Sequence, residues 1–469
     1  MKSSQHPGQR SNNPHRRRKT QFEIFKETYL PIVIGCVALL LILIFVIGSI
    51  TRTIQNYQVN KQLAYEESVS EMERQNALDE EAASCINRAA KLAASYDYES
   101  AILVLEGFSG EMTDYPEMKK DYDSYTAAKS EMVLWDDPAS VLNLSFQSLM
   151  ADPSRCYNDP NFGNSYNRNF VTVEEFQKIL NQLYDNNYIL IRLDDVTNGT
   201  DTFELYLPEG KKPLIITQTN VNYYRYMVDS NDDWIPDKDG AGFASKLIIN
   251  ENNNILCEMV DSQGNTISGY YDLVPILESF ITTHPDFSYR GARAILAVTG
   301  YDGIFGYRTN PKAADKLGNE QYQKEIDDAE KIVTHLRELG YEFACYTYEN
   351  EPYGGYSAQQ ISDEMHKWND EVTPILGKTN IFVFSRNSDI ANIGMAYTDD
   401  RAKVLKDNGF NCFLGFCESD LAWFVSGGDH IRMGRILVSG TAMAHTPEFF
   451  TGMFDATAIL DTNRGNVPS

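Results

Sequence analysis

Residues 31–50 are twenty consecutive positions without a charged side chain. At about 1.5 Å of rise per residue, a helix over this run crosses a hydrocarbon core of roughly 30 Å. A helix also satisfies its own backbone polar groups, which lipid cannot do. The alternative is a buried core helix, but the polar tail beside the run gives it nothing to pack against. Residues 1–30 carry Lys2, Arg10, Arg16, Arg17, Arg18, Lys19 and Lys26 against Glu23 and Glu27, a net of +5. The positive flank stays in the cytoplasm, so the C-terminal side is expected outside the cell membrane. A cleaved signal peptide has a shorter apolar core and a small-residue cleavage site. The stretch 33–36 loosely matches a lipoprotein box, but apolar residues continue for fourteen positions beyond Cys36. An uncleaved, single-pass signal anchor is the reading that fits.

The remainder, 51–469, is long enough for more than one folding unit. The whole chain has a net charge of −25, which leaves about −30 beyond the anchor. That charge argues against nucleic acid or anionic lipid as the main ligand. Six cysteines follow the anchor: Cys85, Cys156, Cys257, Cys345, Cys412 and Cys417. They are too scattered for a disulfide scaffold and lack metal spacing, leaving a Cys412–Cys417 pair or buried thiols.

Four regions follow: a cytoplasmic tail (1–30), the membrane helix (31–50), a helical stalk (51–133) and a large domain (134–469). Within the stalk, Ala90, Leu92, Ala93, Tyr96, Tyr98, Ala101, Leu103 and Leu105 bracket a turn at Asp97. The pattern is that of one tetratricopeptide-like hairpin, which alone cannot bury its own face, so a spacer is expected. From about 134, short apolar runs alternate with amphipathic ones. Thr172 opens Thr-Val-Glu-Glu, a capping box, and Phe176, Ile179, Leu180 and Leu183 share a helical face. Strands are expected at 188–193, 213–217, 294–299, 341–347, 380–385 and 411–416, with helices at 272–283, 324–339, 357–376 and 400–407. This alternation predicts an α/β layer fold with a parallel sheet or barrel, whose chemistry collects at the C-terminal strand ends.

The segment 207–224 (LPEGKKPLIITQTNVNYY) resembles the first motif of the polysaccharide deacetylases, the NodB-homology family, especially a membrane-anchored branch of Gram-positive bacteria. Segments 284–291 (HPDFSYRG), 299–309 (TGYDGIFGYRT), 340–344 (GYEFA) and 372–379 (VTPILGKT) extend the likeness, as do Phe454, Asp455, Asp461 and Arg464. The resemblance covers roughly 137–469 and implies a distorted (β/α) barrel of glycoside hydrolase/deacetylase type. Family enzymes hold a divalent ion with one Asp and two His, and a second Asp serves as general base.

Those positions are degenerate here. Thr219 stands where the base is expected and Asn220 where the metal-binding Asp is expected. Tyr346 and Asn350 stand at the two His positions. A hydroxyl is too weakly basic for the base, and an amide brings no charge to a cation. Gln147 replaces a His common in the branch, and 384–387 reads Phe-Ser-Arg-Asn without the usual Pro and Gly. None of His284, His335, His366, His430 and His445 has H-x-x-x-H spacing with another. His335 and His366 read as surface or packing residues, and Asp194-Asp195 as a turn closing a strand. The acidic stretch 229–240 alternates oxygen ligands, but Trp234 and Gly240 depart from an EF-hand; a solvated loop is the alternative to calcium.

A non-catalytic deacetylase-like domain at the cell envelope is therefore expected, with no metal. Its groove would bind a cell-wall glycan or envelope protein through Tyr223, Tyr224, Tyr301, Tyr307, Arg308 and Tyr346. The alternative is an active zinc- or other metal-dependent deacetylase of peptidoglycan or wall polysaccharide with an unorthodox site; a third is a purely structural scaffold.

Overall fold

The computed structural model describes residues 20–229, 234–417 and 422–468. The chain divides into two compact units, 1–81 and 82–469.

The first unit is helical. Gln21–Ile24 and the π-turn Phe25–Tyr29 lead into a helix over Leu30–Ala93, and the apolar part is long enough to cross a membrane. Large side chains on every side of this part point outward, Phe45 at 77% exposure and Leu39 at 68%. This is the surface that a membrane span or a signal anchor presents.

The second unit starts at Ala82, inside the expected stalk. Ala82, Cys85 and Ala89 are buried, and the helices Tyr98–Glu106 and Pro116–Ser130 that follow pack against each other. Asp97 caps the first of these helices through the Ser100 amide, and its carboxylate lies 3.4 Å from the Arg290 guanidinium. The Arg290 amide also donates to the Ser95 carbonyl at 2.7 Å. The hairpin thus falls in the same compact unit as the large domain. A single hairpin has too little apolar surface to stand alone, and the neighbouring fold supplies the rest.

Seven parallel strands close a barrel: β1 (Leu142–Phe146), β2 (Lys212–Thr219), β3 (Ile295–Val298), β4 (Glu342–Cys345), β5 (Ile381–Val383), β6 (Cys412–Phe416) and β7 (Ile431–Leu437). Each pairs with its successor, and β7 returns to β1 through Leu437 opposite Ser145. The runs are apolar on both faces because both are covered. Ile215, Ile295, Ala344, Ile381, Leu414 and Met433 fill the interior. Leu214, Ile216, Leu296 and Phe382 face the surrounding helices. Those helices include Val173–Asp185, Leu273–Thr283, Asn319–Leu339, Ala358–Lys367 and Asp400–Asp407.

Five of the six expected runs coincide with β2–β6. The sixth, Tyr188–Leu190, pairs with the start of β2 outside the ring. β1 and β7 are strands that periodicity did not isolate. β1 contains Asn143 and Ser145, and β7 contains Arg432 and Arg435, all buried polar residues that interrupt the apolar signal. Asn143 accepts from the Thr217 hydroxyl at 2.9 Å, which lets an amide sit in a strand. A three-stranded antiparallel sheet (Lys246–Ile249, Ile255–Val260, Thr266–Gly269) is inserted between β2 and β3.

One seam ties the far ends of the domain. The capping box forms as predicted: Glu175 N donates to Thr172 Oγ1 at 3.0 Å, and Thr172 N to Glu175 Oε2 at 2.6 Å. The same Glu175 carboxylate takes Arg464 Nε at 2.8 Å and Nη2 at 2.5 Å. Arg464 also donates to the carbonyls of Asn167 and Phe170, so this buried pair is fully hydrogen-bonded.

Candidate functional site

A cavity of about 470 Å³ opens at the C-terminal ends of the barrel strands. Thr219 closes β2 on the inward face, and Asn220 follows it with φ of +61°. Tyr346 directly follows β4, and Asn350, four residues on, has φ of +57°. Gln147 follows β1, Arg386 and Asn387 follow β5, and Arg435 and Leu437 come from β7. Phe162, Ser165, Tyr166, Asn169 and Phe170 close the remaining side. Thr219, Asn220, Tyr346 and Asn350 therefore line one cavity together. Left-handed backbone at Asn220, Asn350, Arg386 and Asn387 concentrates there. For non-glycine residues this conformation is unfavourable and persists only where the surroundings impose it.

The donors of the cavity are largely engaged with one another. Asn220 Nδ2 donates to Gln147 Oε1 at 2.8 Å, and Gln147 Nε2 donates to the Asn169 carbonyl at 3.3 Å. The Tyr224 hydroxyl donates to Asn220 Oδ1 at 3.2 Å, and the Thr219 hydroxyl to the Phe146 carbonyl at 3.3 Å. Gln147 and Asn220 thus form a neutral amide pair where the resemblance implies an imidazole and a carboxylate. The cavity lining holds two guanidiniums, Arg386 and Arg435, and no carboxylate, imidazole or thiol among the described residues. Nor does any group of three or more His, Cys, Asp or Glu suited to a metal occur among them. These residues do not fit a divalent cation. Amides and neutral hydroxyls supply no compensating charge, and two guanidiniums repel the ion.

The proposed groove residues divide. Tyr223 is 1% exposed, turned inward by its left-handed backbone (φ +50°), and its hydroxyl donates to Asp272 Oδ2 at 2.6 Å. Asp272 also accepts from Leu149 N and Gln218 Nε2, so the group is a buried support beneath β1 and β2. Tyr307 is buried with its hydroxyl on the Leu247 carbonyl, and the Arg308 guanidinium is buried on the Tyr223 carbonyl. Tyr223, Tyr307 and Arg308 therefore do not line this cavity and are engaged with the interior instead. Tyr224 supports the floor through Asn220 without lining the cavity. Tyr301 is 44% exposed and borders a second depression that shares Phe162 and Tyr226 with the first.

Sequence reading missed Phe162, Tyr166, Tyr226 and Arg435. Phe162 and Tyr166 lie on a connection of no strong periodicity, and Arg435 sits inside an unrecognised strand. His430 stacks on Tyr397 and accepts from its amide at 3.2 Å, and His445 meets the Val467 carbonyl; neither lines the cavity. Asp195 accepts from Arg192 N in the turn Leu193–Asp195, at the opposite end of the barrel. Cys412 and Cys417 are buried free thiols, and burial pushes both up to about 12. Residues 230–233 of the acidic stretch considered for calcium lie outside the described residues.

No family model and no curated protein matches the sequence. Among solved structures, the chain is similar to the deacetylase PplD of Streptococcus pyogenes, solved with acetate. That match has 13% identity and a TM-score of 0.34, over 65% of this chain and 93% of the other. It is also similar to a de-N-acetylase from Aggregatibacter actinomycetemcomitans, at 10% identity and a TM-score of 0.36, over 67% and 99%. No residue role is carried across at these values.

Proposed function

We propose that this chain is a membrane-anchored, deacetylase-like barrel protein that binds an envelope glycan or partner protein without hydrolysing it. The observation that carries the reading is the cavity lining, which has no carboxylate, imidazole or thiol among the described residues. Metal-assisted hydrolysis needs a charged ligand set for the ion and a base that takes a proton near neutral pH. Thr219, Asn220, Tyr346 and Asn350 supply neither. A cavity of this size with phenol, amide and aromatic walls suits a polar ring whose faces stack and whose hydroxyls hydrogen-bond. Phe162 and Tyr226, with ring centroids 5.3 Å apart and both partly exposed, offer such a wall. The basic flank ahead of the apolar helix supports a cytoplasmic N-terminus, which would present the barrel to the extracellular envelope.

The test uses the full-length protein purified in detergent. Metal content is measured after incubation with zinc, cobalt or nickel, and acetate release is followed on N- and O-acetylated glycans. The expected result is substoichiometric metal and no acetate above the blank. Stoichiometric metal together with acetate release would establish an active deacetylase with an unorthodox site and overturn the proposal.

A further inference from the structure

Four arginines are buried among the described residues: Arg308, Arg432, Arg435 and Arg464. Arg464 and Arg432 each hold a carboxylate, Glu175 at 2.5 Å and Asp389 at 2.7 Å. Arg308 rests on the main-chain carbonyls of Tyr223 and Asp302. Arg435 lines the cavity at 4% exposure and donates only to Ser145 Oγ at 2.8 Å and the Phe384 carbonyl at 3.0 Å. Its Nε has no partner, and no carboxylate forms an ion pair with it. Asp389, whose charge is felt at Arg435, is taken by Arg432 and by the Tyr397 hydroxyl at 2.6 Å. Arg435 and Arg308 lack a carboxylate partner, and of these two only Arg435 lines the cavity.

Arg435 Nε, Tyr166 Oη and Asn350 Oδ1, all unreached by solvent and without partners, belong to residues that line this one cavity. A buried polar group left unpaired is costly, and a charged one more so, so native proteins rarely keep three together. The set has a definite polarity: a guanidinium N–H and a phenol O–H donate, and an amide oxygen accepts. The second guanidinium, Arg386, stands exposed at the same cavity.

We infer that the cavity takes a sugar bearing an anionic group, a carboxylate or a phosphate, with Arg435 as the buried anchor and Arg386 at the rim. This deepens, and rests on, the reading of the cavity as a ligand site. The anion supplies the counter-charge that Arg435 lacks, in the planar geometry that guanidinium favours. Phe162 and Tyr226 flank the ring. The acidic body does not oppose this at contact. Its charge is screened over about 8 Å at physiological salt, while the cavity presents two cations at bonding distance.

Three probes of matched length test the inference by calorimetry on the full-length protein: a hyaluronan tetrasaccharide (carboxylate), a phosphorylated chitotetraose (phosphate) and chitotetraose (neutral). One anionic probe is expected to bind about tenfold or more tighter than chitotetraose, and which one identifies the source of the charge. Arg435→Gln is expected to weaken the anionic probe about tenfold or more, and Arg386→Gln about threefold without a change in melting temperature. If Arg435→Gln does not fold, the probe ranking and Arg386→Gln decide. Equal binding of all three probes, insensitive to the arginine changes, overturns the anion assignment but leaves a ligand-binding cavity. Binding of none of them overturns both.

Discussion

The seam around Arg464 and the cavity around Arg435 are two solutions to the same problem, a guanidinium removed from water. At the seam, Glu175 and the carbonyls of Asn167 and Phe170 surround the charge. Burial pulls the Arg464 guanidinium down, but Glu175 more than offsets this and leaves it above its ordinary value. In the cavity, burial pulls Arg435 below its ordinary value, and the pull of Tyr346, Cys417 and Asp389 does not recover it. Arg464 carries its own counterion. An arginine that lacks one inside a cavity is stabilised by whatever enters.

The largest test of this contrast is stability. Glu175→Ala strands Arg464 and is expected to cost about 3–5 kcal/mol in urea unfolding, whereas Arg435→Gln should cost less than about 1.5 kcal/mol. Equal losses would erase the distinction between the two sites. Next, Tyr223→Phe removes a 2.6 Å bond to the buried Asp272 carboxylate and should cost about 1.5–3 kcal/mol without changing glycan affinity. A large affinity loss at constant stability would return Tyr223 to the binding groove.

The opposite mouth of the barrel offers a third comparison. Glu342 accepts from Leu193 N at 3.0 Å through one oxygen, while the other is buried without a partner. Burial first, then repulsion from Asp194, push its carboxyl from 4.5 up to about 8. Between those values the folded protein holds a proton that the unfolded chain has released. The contribution is therefore full below about pH 4.5 and lost as pH rises to about 8. Glu342→Gln should flatten this slope and stabilise the protein at pH 9 by about 1–2 kcal/mol, with little effect at pH 4. Melting curves across pH 4–9 that are the same for both proteins would refute it. The smallest effect concerns metal. EDTA treatment is expected to shift the melting temperature by less than about 1 °C, since nothing in the cavity fits a divalent ion. A shift of several degrees, reversed by zinc, would sharpen the case for a working enzyme instead.

Much of the barrel was legible because its strands are buried on both faces and read as continuous apolar runs. β2 to β6 and most of the helices follow from that signal, as does the capping box at Thr172. β1 and β7 were not legible, because their buried polar side chains break the run and find partners only across the barrel. The site was half legible. Thr219, Asn220, Tyr346 and Asn350 follow strand ends, where a parallel barrel gathers its loops. Tyr223 and Tyr307 looked like groove aromatics, yet left-handed turns and hydroxyl partners on other elements draw them into the core.

The sequence by itself determined what local pattern and composition control. A twenty-residue uncharged helix suits a membrane, and alternating apolar runs build an α/β barrel. Tertiary structure decided which charges are paired. Glu175 reads locally as a helix cap, and only the fold brings Arg464, almost three hundred residues away, onto the same carboxylate. Arg435 reads as one of many basic residues, and only the closure of β7 onto β1 buries it beside an open cavity without a counterion. Local pattern is set by neighbours along the chain, whereas the solvation of a charge is set by whatever the fold brings next to it.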